Sequence, residues 1–154
     1  GMNDEQFMKI ANKEGKKALD RGDYPAGCVI TKEGKILSRA SSASITKNDP
    51  TAHAEILAIK KACKKLGKRT LEDCAVYANI EPCLMCAKAM VYAGIRKVVY
   101  GTKHLEYGNR KTFDILKENG IAKGVEATGG LQGEKASGLL KAFLEAHSGI
   151  FSKK

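Results

Sequence analysis

The chain has 154 residues, of which 43% are hydrophobic and 29% charged, so it suits one folded domain with a buried core and excludes extensive disorder. No stretch approaches the roughly 20 apolar residues that cross a bilayer, and the first residues lack the basic and apolar regions of a secretion signal. We therefore expect a cytoplasmic protein, and its net charge of +10 is compatible with anionic partners such as nucleic acid.

Hydrophobic periodicity and turn residues predict ten helices and strands. The first half is predicted to contain a helix over 3–21 that ends near Gly22, hairpin strands at 28–30 and 36–37, and a loop over 41–50. A second helix is expected from Thr51, as its cap, to about Leu66, and Gly67 is expected to stop it. The second half is predicted to contain a strand over 74–78, a loop over 79–82, a helix over 83–93, a strand over 97–100, a helix near 109–119, a short strand near 124–127 and a helix over 133–147.

Alternation of this kind predicts the α/β class, with a three-layer α/β/α sandwich around a central mixed sheet of five strands. No repeat, linker or low-complexity segment divides the chain, so residues 1–154 are expected to form a single domain. One side of the second helix is rich in lysine: Lys60, Lys61, Lys64, Lys65 and Lys68. This pattern is typical of a solvated helix face, and a basic binding patch is the alternative.

Two short segments, His-Ala-Glu at 53–55 and Pro-Cys-Leu-Met-Cys at 82–86, each lie at the predicted start of a helix. Cys83 and Cys86 are three residues apart, which places both sulfurs on one side of a helical turn, where the helix N-terminus favours thiolates. His53 is a candidate third ligand. Three protein ligands leave the fourth tetrahedral position open for water, as in catalytic zinc sites, so we expect one Zn²⁺ per chain.

A catalytic zinc site also needs a group that accepts and returns protons. Glu55, two residues after His53, is the candidate for this role; the alternative is that it only stabilises a helix N-terminus. For Cys83 and Cys86 the alternative is thiol redox chemistry, whereas a zinc finger would need a second pair of ligands. An odd number of cysteines, five, in a chain without a secretion signal disfavours a disulfide framework.

Together the two segments resemble the H-x-E and P-C-x-x-C motifs of the zinc-dependent cytidine/deoxycytidylate deaminase superfamily. The string Asn-Asp-Pro-Thr-Ala-His-Ala-Glu-Ile over 48–56 is similar to the branch that holds guanine, cytosine and tRNA adenosine deaminases. The resemblance implies a cytidine deaminase-like fold, hydrolytic release of ammonia and proton transfer by Glu55. It also implies a homodimer, with a larger assembly as the alternative. It further implies that Asn48 hydrogen-bonds the base and that the backbone amide of Ala54 contacts the carbonyl or hydroxyl at the reacting carbon.

The substrate is less clearly indicated by the residues. Stretches at 81–83, 94–101 and 139–143 are similar to tRNA adenosine deaminases. However, the loop Lys-His-Leu-Glu-Tyr-Gly-Asn-Arg over 103–110 is bulkier and more charged than the Gly-Ala-rich loop of those enzymes.

Two other stretches, 60–67 and 71–74, look more like guanine deaminases, and the length of 107–120 is closer to cytosine deaminases. We therefore expect a free nucleobase or nucleoside of the guanine or cytosine type as the substrate. The alternative is a tRNA-specific deaminase that converts wobble adenosine to inosine.

Five further residues are candidates for the surroundings of the site. Cys28 is expected either beside the base or in the core, where buried cysteines usually pack. His104 and Tyr107 lie on the loop where substrate selectivity is expected, with an ordinary surface loop as the alternative. Phe143 and Phe151 are candidates to close the site from the last helix and the tail, with core packing as the alternative for Phe143.

Overall fold

The computed structural model describes residues 1–148, which form a mixed five-stranded sheet between two layers of helices. The helices are α1 (Asp4–Arg21), α2 (Ala54–Leu66), α3 (Leu84–Tyr92), α4 (Thr112–Glu118) and α5 (Gly133–Ala146). The strands are β1 (Gly27–Lys32), β2 (Lys35–Ser41), β3 (Cys74–Ile80), β4 (Lys97–Thr102) and β5 (Glu126–Thr128). Among residues 1–148, no helix is long and apolar enough to span a bilayer.

The strands lie in the order β2-β1-β3-β4-β5. Strand β1 pairs in antiparallel fashion with both β2 and β3, whereas β3, β4 and β5 run parallel. Helices α1 and α5 cover one face, and α2, α3 and α4 cover the other. The expected three-layer α/β/α sandwich with a mixed sheet of five strands is confirmed.

Neighbouring residues of the central strands pack into different helix layers. Val76 and Val98 belong to the larger core, under α2, α3 and α4, whereas Tyr77 and Val99 pack against α1. This alternation follows from the two-residue period of a strand. Because both faces of β3 and β4 are covered, these strands carry long apolar runs, as strands within α/β sandwiches do.

The start of α2 differs from the expectation. Thr51 is not its cap, because the Thr51 hydroxyl donates a hydrogen bond to the side chain of Asp49 at 2.7 Å instead. The cap position belongs to His53, which has an extended backbone, and whose carbonyl accepts the first helical hydrogen bond from Leu57. The expected stop at Gly67 is confirmed, with a left-handed φ of 69°. His53 is therefore held where the chain changes from loop to helix.

Strand β3 is longer than expected. Asn79 and Ile80, predicted as loop, belong to the strand, and Ile80 pairs with Thr102 of β4. The polar Asn79 is tolerated there because its buried side chain accepts a hydrogen bond from Gly27 N at 2.8 Å and donates one to Pro25 O at 2.9 Å. The side chain thus joins the end of β3 to the start of β1.

Candidate metal centre and active site

The N-terminal ends of α2 and α3 bring three metal-binding side chains together. His53 is the cap residue of α2, Cys83 is the cap residue of α3, and Cys86 lies in the first turn of α3. The three ligand atoms lie within 4.8 Å of one another, and His53 Nδ1 lies 3.6 Å from Cys83 Sγ and 3.5 Å from Cys86 Sγ. The three predicted metal ligands are therefore neighbours in the fold.

These distances suit zinc. With Zn–S bonds of about 2.3 Å and Zn–N bonds of about 2.0 Å, neighbouring ligands of a tetrahedral ion lie roughly 3.6 Å apart. Two sulfurs and one imidazole nitrogen also form a donor set that zinc prefers. Among residues 1–148 this is the one His, Cys, Asp or Glu group found with such geometry. The arrangement fits a three-ligand catalytic site rather than a four-ligand structural one.

The surroundings favour the thiolate form of Cys83. A hydrogen bond from Cys86 and another from His53 lower the pKa of Cys83 to about 4, although burial opposes them. The pKa of Cys86 is raised, first because this thiol donates to Cys83 and second because it is buried. The pKa of His53 is raised, mainly by its hydrogen bond with Cys83. One negative charge is thus already favoured at the ligand cluster.

Glu55 lies in the first turn of α2, two residues after His53, and is 5% exposed. Burial, and next the negative charge of Cys83, raise the pKa of Glu55 to about 7. A carboxyl group with a pKa near neutrality can both accept and return a proton at physiological pH. Glu55 is therefore a buried carboxyl group close in sequence to His53 and outside the group of three candidate ligands.

The two other predicted site residues lie on the segment that leads into α2. Asn48 is exposed, has a left-handed φ of 50°, and makes no side-chain hydrogen bond with residues 1–148. Its loop is anchored by Asp23, which accepts hydrogen bonds from the backbone amides of Ile45 and Thr46 at 3.0 and 2.9 Å. Ala54 is the buried first residue of α2, where helix amides have no partner within the helix.

The loop over residues 103–111 forms a further wall near the ligands. The Tyr107 hydroxyl accepts a hydrogen bond from the backbone amide of Leu84, directly after Cys83, at 3.1 Å. The rings of Tyr107 and His104 stack with their centroids 5.2 Å apart. The loop over residues 103–111 therefore contacts the start of α3, which carries Cys86.

Sequence reasoning missed Glu81 as an anchor of this loop. Its buried carboxylate accepts hydrogen bonds from His104 N at 2.9 Å and Thr112 N at 2.8 Å. These bonds fasten both ends of the loop to the turn before Cys83. A glutamate directly before Pro82 and a ligand cysteine was the available signal, but its partners lie more than 20 residues away.

Cys28 is fully buried in β1, and the charge of Glu55 contributes to raising its pKa, after burial itself. The expectation that Cys28 is a core residue is therefore confirmed, whereas its position beside a bound base stays a prediction. Phe143 is buried and stacks on His147 at a centroid distance of 4.2 Å. Phe151 lies outside the described residues. The lysines predicted on the outer face of α2 are exposed.

Comparison with known proteins agrees with this chemistry. The family model for the cytidine and deoxycytidylate deaminase zinc-binding region matches residues 2–102. The tRNA-specific adenosine deaminase of Aquifex aeolicus (strain VF5) is 43% identical over 118 residues, which cover 76% of this chain and 78% of the relative.

Two solved structures that resemble this chain come from two kinds of deaminase. One, from studies of A-to-I editing by tRNA:A34 deaminases at the wobble position, has a TM-score of 0.81 and 31% identity, covering 88% of this chain and 99% of its own. The other, guanine deaminase from Bacillus subtilis, has a TM-score of 0.66 and 39% identity, and the match covers 75% of this chain and 76% of that chain. These findings favour the tRNA alternative over our main expectation of a free base or nucleoside, without selecting one substrate.

The family match extends from α1 to the end of β4 and includes all three metal ligands and Glu55. The protein therefore belongs to the cytidine and deoxycytidylate deaminase family of zinc-dependent enzymes.

Proposed function

We propose that this protein hydrolytically deaminates adenosine within tRNA. The observation that carries the proposal is the extent of sequence identity to tRNA-specific adenosine deaminases, of which that of Bacillus subtilis (strain 168) is 40% identical over 91% of this chain. The guanine deaminase structure from Bacillus subtilis is 39% identical over 75% of this chain. In this reaction water replaces the exocyclic amine at C6 of adenine, so that inosine and ammonia are released.

The metal would be held by His53, Cys83 and Cys86, and it would supply water activated for attack at neutral pH. Glu55 accepts a proton from the attacking water and passes it to the ring nitrogen next to the reacting carbon. A second proton moves through the same carboxyl to the departing amine, which leaves as ammonia. The raised pKa of Glu55, to about 7, suits both directions of transfer.

Two groups orient the base in this proposal. The backbone amide of Ala54 points outward from the start of α2 and donates to the oxygen that forms at the reacting carbon. The side chain of Asn48, which has no partner within residues 1–148, hydrogen-bonds the base edge. Its loop is fixed in place by Asp23, so little ordering is needed when the base binds.

Exposed cations on both loops beside the site support a polynucleotide substrate. Lys47 precedes Asn48, and Lys111 lies at the end of the loop over 103–111. Such cations attract phosphates without distinguishing one base from another, and they are part of the chain's net charge of +10. The proposal therefore predicts that KM for an RNA substrate rises steeply with salt, whereas KM for a free base does not.

We further infer that residues 1–154 act as one domain and assemble as a homodimer in a reducing, cytoplasmic setting. Helix α3 exposes Met85 and Tyr92, which are 38% and 72% exposed and lie on one helix face. Exposed large apolar groups next to a site favour a subunit contact. Sedimentation analysis of Tyr92→Lys against the parent chain tests the dimer.

The cysteines support the reducing compartment. All five are free of disulfide bonds, as expected of thiols in such a compartment.

The substrate test compares ammonia release from an anticodon stem-loop carrying adenosine at the wobble position with release from guanine, cytosine and adenosine. We expect the stem-loop to be converted, with inosine identified by mass spectrometry, and Glu55→Gln to lose activity while retaining zinc. Guanine deamination is the second candidate, because the guanine deaminase of B. subtilis is 39% identical over three quarters of the chain. Turnover of guanine without turnover of the stem-loop would refute the proposal in favour of this candidate.

A further inference from the structure

Tyr107 occupies an unusual position in the loop over residues 103–111. It is half-buried, whereas the other residues of 105–110 are exposed. Gly108 turns the chain directly after it with a left-handed φ of 61°, and Arg110 N donates a hydrogen bond to Tyr107 O at 3.1 Å. The ring of Tyr107 stacks on that of His104. Both the backbone and the ring of Tyr107 are therefore held in place.

The Tyr107 hydroxyl meets α3 at an amide that has no partner within the helix. The first amides of an α-helix cannot bond to a preceding turn, and a cap side chain usually reaches the second or third of them. The cap residue of α3 is Cys83, so the amide of Leu84 depends on a partner from another segment. The Tyr107 hydroxyl, 23 positions further along the chain, accepts this hydrogen bond at 3.1 Å. Tyr107 thus completes the start of the helix at the candidate metal centre.

The same loop is bound to the chain on both sides of Cys83. Glu81, two residues before Cys83, accepts hydrogen bonds from amides at both ends of the loop over 103–111. Leu84, directly after Cys83, donates to Tyr107 in the middle of the loop. A shift of the Cys83 backbone must therefore either move the loop or break these hydrogen bonds.

The Leu84–Tyr107 hydrogen bond requires an ordered first turn of α3. Cys83 and Cys86 are fixed in position when both are metal ligands, whereas the end of a helix without such a constraint frays. The hydrogen bond therefore contributes most in the metal-bound protein. We infer that Tyr107 is a positioning residue of the metal centre, whose hydroxyl holds the start of α3 and couples metal binding to the position of the loop over 103–111. This role rests on the metal ligands and is independent of which base is deaminated.

Tyr107→Phe removes the hydroxyl and keeps the ring that stacks on His104. The Kd for Zn²⁺ is measured by competition with a chromogenic chelator, in the absence of any substrate. We expect it to rise by about 2- to 13-fold, which corresponds to a neutral hydrogen bond of about 0.5–1.5 kcal/mol. Because such coupling is reciprocal, Zn²⁺ should slow hydrogen exchange in peptides from 105–110 of the parent chain, and should slow it less in Tyr107→Phe.

Tyr92→Phe is the matched control. Tyr92 lies on the same helix and is 72% exposed, and its hydroxyl has no hydrogen-bond partner among residues 1–148. We expect this variant to keep the Kd for Zn²⁺ within about twofold of that of the parent.

An unchanged Kd in Tyr107→Phe, with any loss of stability equal in the presence and absence of Zn²⁺, would make Tyr107 a structural residue of the loop and overturn the inference. Failure of the parent chain to convert the stem-loop would refute the proposed tRNA function instead. The zinc measurements, which use no substrate, would still decide the role of Tyr107.

Discussion

Replacing Glu81 by alanine should detach the loop over residues 103–111 from the turn that carries Cys83. The Glu81 carboxylate is 1% exposed and accepts hydrogen bonds from the backbone amides of His104 and Thr112 at 2.9 and 2.8 Å. Lys103 Nζ lies 3.9 Å from the same carboxylate. Both ends of the loop therefore depend on one side chain.

The size of the effect follows from these two bonds. A hydrogen bond to a charged group contributes about 1.5–3 kcal/mol, so the loss of both costs about 3–6 kcal/mol. Since much of the loop is exposed, this cost should appear as local opening rather than as unfolding of the whole chain. About 1.5–3 kcal/mol per amide corresponds to roughly 10- to 150-fold faster hydrogen exchange. Glu81→Gln retains one acceptor oxygen and should show about half of this free-energy cost.

Hydrogen exchange measured by mass spectrometry on peptides that contain residues 104 and 112 checks the prediction. Glu106→Ala is the control, because this glutamate lies on the same loop with an exposed side chain, and its loss should change exchange less than threefold. Unchanged exchange at both amides in Glu81→Ala would mean that other contacts hold the loop. The reasoning about its anchor would then be refuted.

Three further predictions concern the metal, the packing of α1 and the buried carboxyl. Cys86→Ser should abolish stoichiometric zinc binding, measured by elemental analysis, whereas Cys63→Ser should keep one zinc per chain; equal zinc in both would rule out Cys86 as a ligand. Gly27→Ala should prevent stable folding, since a Cβ there would lie 2.0 Å from a backbone oxygen of α1. Gly138→Ala lies on α5, where a Cβ meets open space, and it should raise the free energy of unfolding by about 0.5–1 kcal/mol. In zinc-free protein, the raised pKa of Glu55 means that its protonated form stabilises the fold at low pH and that this contribution is lost as the pH rises through about 7. Urea unfolding should therefore show Glu55→Gln gaining about 2.5 kcal/mol over the parent between pH 5 and pH 8. An unchanged difference would contradict the burial of a titrating carboxyl.

The grouping of His53, Cys83 and Cys86 was predictable from sequence because much of its geometry is local. Cys83 and Cys86 share a helical turn, and Glu55 follows His53 by two residues, so spacing alone limits where their side chains lie. That the starts of α2 and α3 lie side by side depends on the tertiary structure, and the alternation of helices and strands predicted this fold class correctly. Local hydrogen bonding produced the error at the start of α2, since Thr51 bonds to the side chain of Asp49 and leaves the cap position to His53.

Residues that act through distant partners could not be predicted in the same way. Glu81 and Thr112 are 31 positions apart, and Tyr24, in the connection between α1 and β1, packs on Phe143 of α5. Asn79 was predicted as loop because polar residues are rare inside strands, yet its side chain replaces the missing contacts by binding Pro25 and Gly27. In each case the decisive partner comes from a segment far along the chain. Hydrophobic periodicity carries no information about such pairs.

The position of the acidic groups explains why two helix starts, rather than two strands or loops, form this site. Cys83, Cys86 and Glu55 would place as many as three negative charges within one small buried volume. Each helix N-terminus carries a partial positive charge and unpaired amides, which stabilise anions over the first turn. A divalent ion would neutralise the two thiolates and leave Glu55 as the one buried charge without a full partner. Its affinity for protons is therefore set mainly by burial, and the same burial that weakens the fold at high pH gives the carboxyl the basicity that proton transfer needs.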